Sequence, residues 1–375
     1  MPEPAARLLP VENVLADEQL TERWDALADA ADPTNPFLRR AFLGAAVRHL
    51  AAEDDVRLLV VDGEQEWDLL APLSIGQRTA RLPGRPARAF QHDQALLGTP
   101  LARDHRRAWG AALRGLAAAD AGSWALFEGV DARVAEQMAS AARHSRLAVR
   151  VLEPRARALA HRRDDGRYLE RTLSSGRRKK LRRLRRRLSE DLGGGLELVD
   201  LVERDGPEKA LEQFMDLEAA GWKGEDGGAL ASNPAQQRMM REAITDLARA
   251  GIAHVYGLLG ADGTLAAAAI DLADGPGLFT AKITYDEQHA SRSPGRLLEE
   301  DQFDRFHRMG LDWIDSCASP NDDYQHELFG GRRELTTVFV SLGGVRGTAA
   351  VHAAATIRVL QLRWRAVRRW LRERG

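Results

Sequence analysis

Three apolar runs, His254 to Leu259, Thr264 to Leu272 and Leu278 to Thr284, follow one another with only short links around Asp262-Gly263 and Asp274-Gly275-Pro276-Gly277. A parallel crossover needs a dozen residues or more, so links this short dictate three consecutive antiparallel strands. Leu196 to Val202 reads as a strand and Pro207 to Ala220 as a helix. Pro234 to Ala250 is a second helix, in which Met240, Ala243, Ile244 and Leu247 recur at i, i+3, i+4 and i+7. Asn233 stands where an N-cap belongs, with Pro234 at the first helical position. A helix, Leu297 to Met309, and two strands, Asp312 to Ser316 and Leu335 to Leu342, come after. The order β-α-α-β-β-β-α-β-(α)-β predicts an α/β (α+β) domain of three layers around a mixed sheet.

The first 155 residues echo this order in weaker form. Trp24 to Ala31 and Phe37 to Leu50 carry helical spacing, with Asn35-Pro36 as a start signal between them. Val56 to Val61 and Trp67 to Leu73 read as strands about Asp62-Gly63; Ala102 to Ala118 reads as helix, Trp124 to Glu128 as strand, Asp131 to Arg143 as helix and Leu147 to Leu152 as strand. A chain of 375 residues has room for two such domains. No apolar run approaches the roughly 20 residues that cross a bilayer. The single cysteine, Cys317, excludes a disulfide framework and any multi-cysteine metal site, and reads as a small buried apolar residue. Met1 to Pro10 lacks the basic-then-apolar order of a signal peptide, so a cytoplasmic protein without a metal is expected.

A net charge of −1 hides two basic blocks. Arg177 to Arg187 holds nine cations in eleven residues, and Arg358 to Arg374 holds seven arginines against Glu373 alone. Leu181, Leu184 and Leu188 stripe the first block; Ile357, Leu360, Trp364, Val367 and Leu371 stripe the second. An arginine-flanked apolar stripe suits an anionic membrane surface, or else packs on the body with its cations in water. No aromatic-rich strand surface or nucleic-acid motif accompanies the arginines, so nucleic acid is not the expected partner.

Lys282-Ile283-Thr284-Tyr285 ends a strand, and Arg292-Ser293-Pro294-Gly295-Arg296-Leu297 opens the next helix. A helix start offers unpaired N–H groups and a positive dipole end, so with two arginines beside it this corner fits a diphosphate. The structural alternative is a proline-initiated helix with exposed arginines.

WDALADAADPTNPFLRRAFLGAA, FMDLEAAGWKG, KITYDEQHASRSPGRLL and MGLDWIDSCASP, in that order, resemble the CelD-type, FemAB-related branch of the GNAT acyltransferases. The resemblance implies tandem GNAT-like domains, with residues 1–155 a degenerate copy, 156–195 a basic helical linker, 196–345 the acyltransferase domain and 346–375 a basic amphipathic helix. It implies acyl-CoA as co-substrate, held by Lys282, Ile283, Thr284, Arg292, Ser293, Gly295, Arg296 and Leu297. It further implies backbone N–H donors to the thioester carbonyl where Leu278 to Thr284 leaves its neighbour.

Direct transfer from a thioester to an amine needs a proton acceptor, carbonyl-polarising donors and a diphosphate anchor. Glu218, on the face shared by Leu211 and Phe214 just before Gly221 ends the helix, is the first choice of base. A buried ion pair with Lys223 or an arginine is its structural alternative. Asp286 and Asp315, at strand ends, are the next candidates; turn capping is the alternative for each. Trp222, Lys223, Tyr285 and His326 are expected to line the acceptor side. The expected reaction is acyl transfer from acyl-CoA to an amine on a cell-envelope, lipid or polysaccharide-linked acceptor, on the inner membrane face. Its rivals are aminoacyl-tRNA-dependent transfer of the FemAB kind and a silent membrane-associated scaffold.

Overall fold

A computed structural model describes residues 5–51, 54–76, 83–165, 167–221, 230–318 and 328–372, without the side chains of 231 and 365–372. The chain forms two compact units, one of residues 1–40, 51–155 and 334–375, the other of 41–50 and 156–333.

In the first unit the strands are β1 (Ala6–Pro10), β2 (Asp55–Asp62), β3 (Trp67–Ile75), β4 (Ala87–Ala89), β5 (Leu101–Ala102), β6 (Trp124–Asp131) and β7 (Val149–Val151). β1, β2, β3 and β4 pair antiparallel in sequence, and β4 then pairs parallel with β6. Residues 335–341, the later part of the strand Gly331–Ser341, pair antiparallel with β6, and residues 338–340 pair antiparallel with β7 as well. Helices His105–Ala118 and Ala132–His144 are capped by Asp104 and Asp131, whose side chains accept from Arg107 N–H and Arg133 N–H. Trp109, Leu113, Leu116, Val134 and Met138 of these helices bury against Leu59, Leu69, Leu73 and Phe127 of the sheet. Val351, Ala354 and Ala355 of the helix Gly344–Arg372 meet Trp124, Leu126 and Phe339 in a separate cluster.

The second unit holds β8 (Arg155–His161), β9 (Leu196–Asp200), β10 (Ala253–Gly260), β11 (Leu265–Asp274), β12 (Gly277–Tyr285) and β13 (Trp313–Asp315), in the spatial order β8-β13-β12-β11-β10-β9. Pairing is antiparallel except between β12 and β13, so the short links do give an antiparallel meander and the sheet is mixed. Leu297, Leu298, Phe303 and Phe306 of the helix Pro294–Met309 pack on Leu258, Ala267, Ala269 and Leu278. Helix Pro207–Ala219 lies over the opposite face, where Lys282 points. Gly277 stands opposite Trp313 in the parallel register; a Cβ there would lie 2.1 Å from the indole, so only glycine lets these strands pair around that ring.

The basic helix is Ser175–Asp191, and its leucine stripe is buried: Leu181 and Leu188 join the cluster around Leu297 and Phe303. Arg185 donates to the Leu297 carbonyl and pairs with Asp301. The stripe is therefore unavailable to a bilayer, and what the helix keeps in solvent is charge: Lys179, Lys180, Arg182, Arg183, Arg186 and Arg187. The stretch expected to be a helical linker also contains β8 and belongs to the second unit. No helix among the described residues is long and apolar enough to cross a membrane.

Candidate functional site

β12 pairs with β13 only through Gly277↔Trp313, Leu278↔Ile314 and Phe279↔Asp315. From Thr280 to Tyr285 its only strand neighbour among the described residues is β11. The parting coincides with a bulge: Asp271 faces Thr280 while Ile270 faces Lys282, so Ala281 is the extra residue. A bulge bends and twists the strand that carries it, which turns β12 away from β13 along 280–285.

On one face of the gap stands a buried ion pair. Lys282 Nζ lies 2.7 Å from Glu218 Oε1, and Leu230 N–H donates to Glu218 Oε2 at 2.8 Å. Glu218 is 1% exposed. It sits in the last turn of Pro207–Ala219, on the stripe formed by Leu211 and Phe214, which drives its carboxylate onto the sheet. The buried partner is Lys282, a residue expected to hold the donor; Lys223 lies outside the described residues.

At the far end of β12 the chain turns into the helix Pro294–Met309. Asp286 is the cap of the 3-10 turn Glu287–Arg292, its Oδ1 accepting from Gln288 N–H at 2.9 Å, so its carboxylate is already engaged in the turn-capping role. Ser293 is left-handed (φ 54°), a conformation that strains any residue but glycine. Its carbonyl takes the amides of Arg296 and Leu297, at 3.1 and 3.2 Å. Gly295 lies against Tyr285 and Ile283 of β12, with a Cβ there 3.4 Å from Tyr285 Cδ1, so a larger side chain would fill the corner. Arg292 borders it, held by Asp191 at 2.7 Å. Arg296 and Leu297, expected among the donor ligands, are buried instead, Leu297 in the core under the sheet.

Asp315, a candidate base, is 0% exposed and saturated. Arg157 Nε lies 2.8 Å from Oδ1, Arg333 Nη1 donates to Oδ2 at 2.7 Å and Cys317 N–H to Oδ1 at 2.9 Å. A carboxylate bound to two guanidinium groups is a clamp, with no lone pair left for an entering amine. Burial pushes the Cys317 thiol up, away from the thiolate a nucleophile needs. Trp222 and His326 lie outside the described residues.

Sequence reasoning passed over Asp271, which is buried on β11 and accepts from Gln302 Nε2 at 2.7 Å. Its alternation with apolar neighbours masks it, since aspartate inside a strand carries no sequence signal. Burial raises its pKa to about 7. The folded value lies above the unfolded one of about 3.9, so the proton-bound fold is favoured, and stability is lost as pH rises through about 7. Denaturation midpoints of the protein should fall between about pH 4 and pH 7 relative to those of Asp271→Asn; parallel profiles would remove Asp271 as the titrating group.

Residues 175–326 match the family described as "Acetyltransferase (GNAT) domain". The crystal structure of FemX superimposes with a TM-score of 0.60 at 11% identity, over 85% of this chain and 95% of that one. L-PGS from Bacillus licheniformis gives 0.54 at 13% identity, over 90% of this chain and 95% of that one. The C-terminal domain of a putative lysylphosphatidylglycerol synthetase from Agrobacterium fabrum gives 0.53 at 14%, over 90% and 96%. No curated protein matches the chain. At these identities the likeness is one of fold, and the fold is that of the GNAT acyltransferases.

Proposed function

We propose that the second unit transfers an acyl group from acyl-CoA to an amine. The observation that carries this reading is the parting of β12 from β13 beyond Phe279, between the Glu218–Lys282 pair and the helix start at Ser293. A thioester entering the gap would place its carbonyl along the parted edge of β12, where backbone N–H donors would bind an oxyanion better than a carbonyl and so favour the tetrahedral intermediate. Ser293, Gly295 and Arg292 would border the diphosphate.

Lys282 shows where an ammonium rests on Glu218. An acceptor ammonium exchanging with it on Oε1 would give its proton to Glu218; the freed amine attacks the carbonyl carbon, the C–S bond breaks, and the thiolate takes up the proton that the attacking nitrogen sheds on becoming an amide. The acceptor is assigned to a cell-envelope, lipid or polysaccharide-linked amine through the CelD-type resemblance.

Two measurements test this. Calorimetry of the folded chain with acetyl- and longer acyl-CoA should give saturable heat, and amine acceptors should release free CoA thiol. Aminoacyl-tRNA-dependent transfer, which the solvent-facing cations of Ser175–Asp191 would suit, releases no CoA thiol. Absence of heat at every chain length would overturn the acyl-CoA reading.

The C-terminal helix carries the membrane part of the proposal. Leu360 and Trp364 are 59% and 56% exposed on a helix that also bears Arg363. Tryptophan and arginine together suit an anionic interface. Removing the residues after Thr356 should at least halve sedimentation with anionic vesicles, and unchanged sedimentation would reject a membrane role.

A further inference from the structure

Helices His105–Ala118 and Ala132–His144 of the first unit enclose a groove of about 880 Å³ on their solvent side. Gly110, Ser140 and Ala141 line it, all small, which is why the two helices leave a channel between them. Arg106, Arg107 and Arg114 line one wall and Arg133, Arg143 and His144 the other; Glu136 is the one carboxylate among the lining residues.

Some solvent-facing arginines elsewhere in this unit meet carboxylates: Arg7 and Arg23 share Asp62, Arg40 takes Asp25 and Arg57 takes Asp55, and in the groove Arg133 lies 3.4 Å from Asp131. Arg106, Arg107 and Arg143 have no ion-pair partner among the described residues. Gathering like charges along a concave wall raises the local positive potential and draws anions into it. Guanidinium forks bind phosphate oxygens in pairs, and two facing walls let one ligand engage both helices. The volume is that of a small-molecule site. Its lining offers no Phe, Tyr or Trp side chain for stacking bases and no large apolar side chain for a bilayer.

We infer that this groove is a binding site for a small molecule bearing two or more phosphates, of nucleoside-diphosphate size. It is separate from the donor corner of the second unit, and the inference stands whether or not that corner binds acyl-CoA.

Titration of the full chain with pyrophosphate and with ADP at low salt tests it. Both should bind saturably; equal affinities place recognition on the phosphates alone, and tighter ADP adds the nucleoside. In the double variant Arg107→Ser with Arg143→Ser, binding should weaken at least about 10-fold, because two charge-assisted contacts are lost. Both side chains are exposed and unpaired, so the thermal midpoint should hold. Arg292→Ser, in the other unit, removes only what the donor corner binds and should leave intact the groove's share of the titration, the part lost in the double variant. Absence of binding, binding indifferent to the double variant, loss in Arg292→Ser alone, or binding only to RNA or anionic vesicles would each overturn the inference.

Discussion

Asp315→Ala should destabilise the second unit by roughly 3–5 kcal/mol, the cost of removing one partner from a buried ion pair. The carboxylate joins three parts of the chain. It sits on β13, Arg157 reaches it from β8, and Arg333 from the first residues of β14 (Gly331–Ser341). Without it two buried guanidinium groups face each other with no anion between them. Arg333 keeps its place over the Trp313 ring, 4.4 Å from the centroid, which offsets little of the loss. Against a typical total of about 5–15 kcal/mol the change is large, and the thermal midpoint should drop by roughly 10 °C. Asp315→Asn, which keeps shape and removes charge, should fall between. A wild-type midpoint in Asp315→Ala would mean the clamp contributes nothing.

The same clamp explains what the sequence concealed. Strands β10, β11 and β12 were legible because apolar alternation and short Asp-Gly links state their pairing locally. β8 was not: Arg155 and Arg157 make Arg155–His161 look like part of a basic linker, and only a carboxylate 158 residues away makes Arg157 a core residue. Likewise Glu218 announced its burial through Leu211 and Phe214, but its partner Lys282 lies 64 residues on, where β12 is kinked by a bulge that leaves no mark in composition. The helix start at Pro294 was readable from its proline and glycine. That Arg296 and Leu297 turn inward was not, since their direction depends on how the helix rolls against Ala267 and Ala269. Local chemistry is written in the sequence; long-range electrostatic pairing is not.

Glu218→Gln should lower acyl transfer at least about 100-fold, the size typical of losing a positioned general base. Glutamine keeps the volume and can still accept from Leu230 N–H, so the last turn of the helix should hold. What disappears is the negative charge that holds an ammonium. The affinity for acyl-CoA should change less than about twofold, because Glu218 lies across β12 from the Ser293 corner. A purely structural pair makes the opposite forecast for the double variant. If Glu218 serves only to neutralise Lys282, then replacing both, as Glu218→Gln with Lys282→Met, removes the stranded charge and restores turnover. If Glu218 takes the acceptor's proton, the double variant folds as well as the parent and remains slow. Turnover within a few-fold of the parent in Glu218→Gln, or its recovery in the double variant, would take the carboxylate out of the reaction and leave it as a buried counterion.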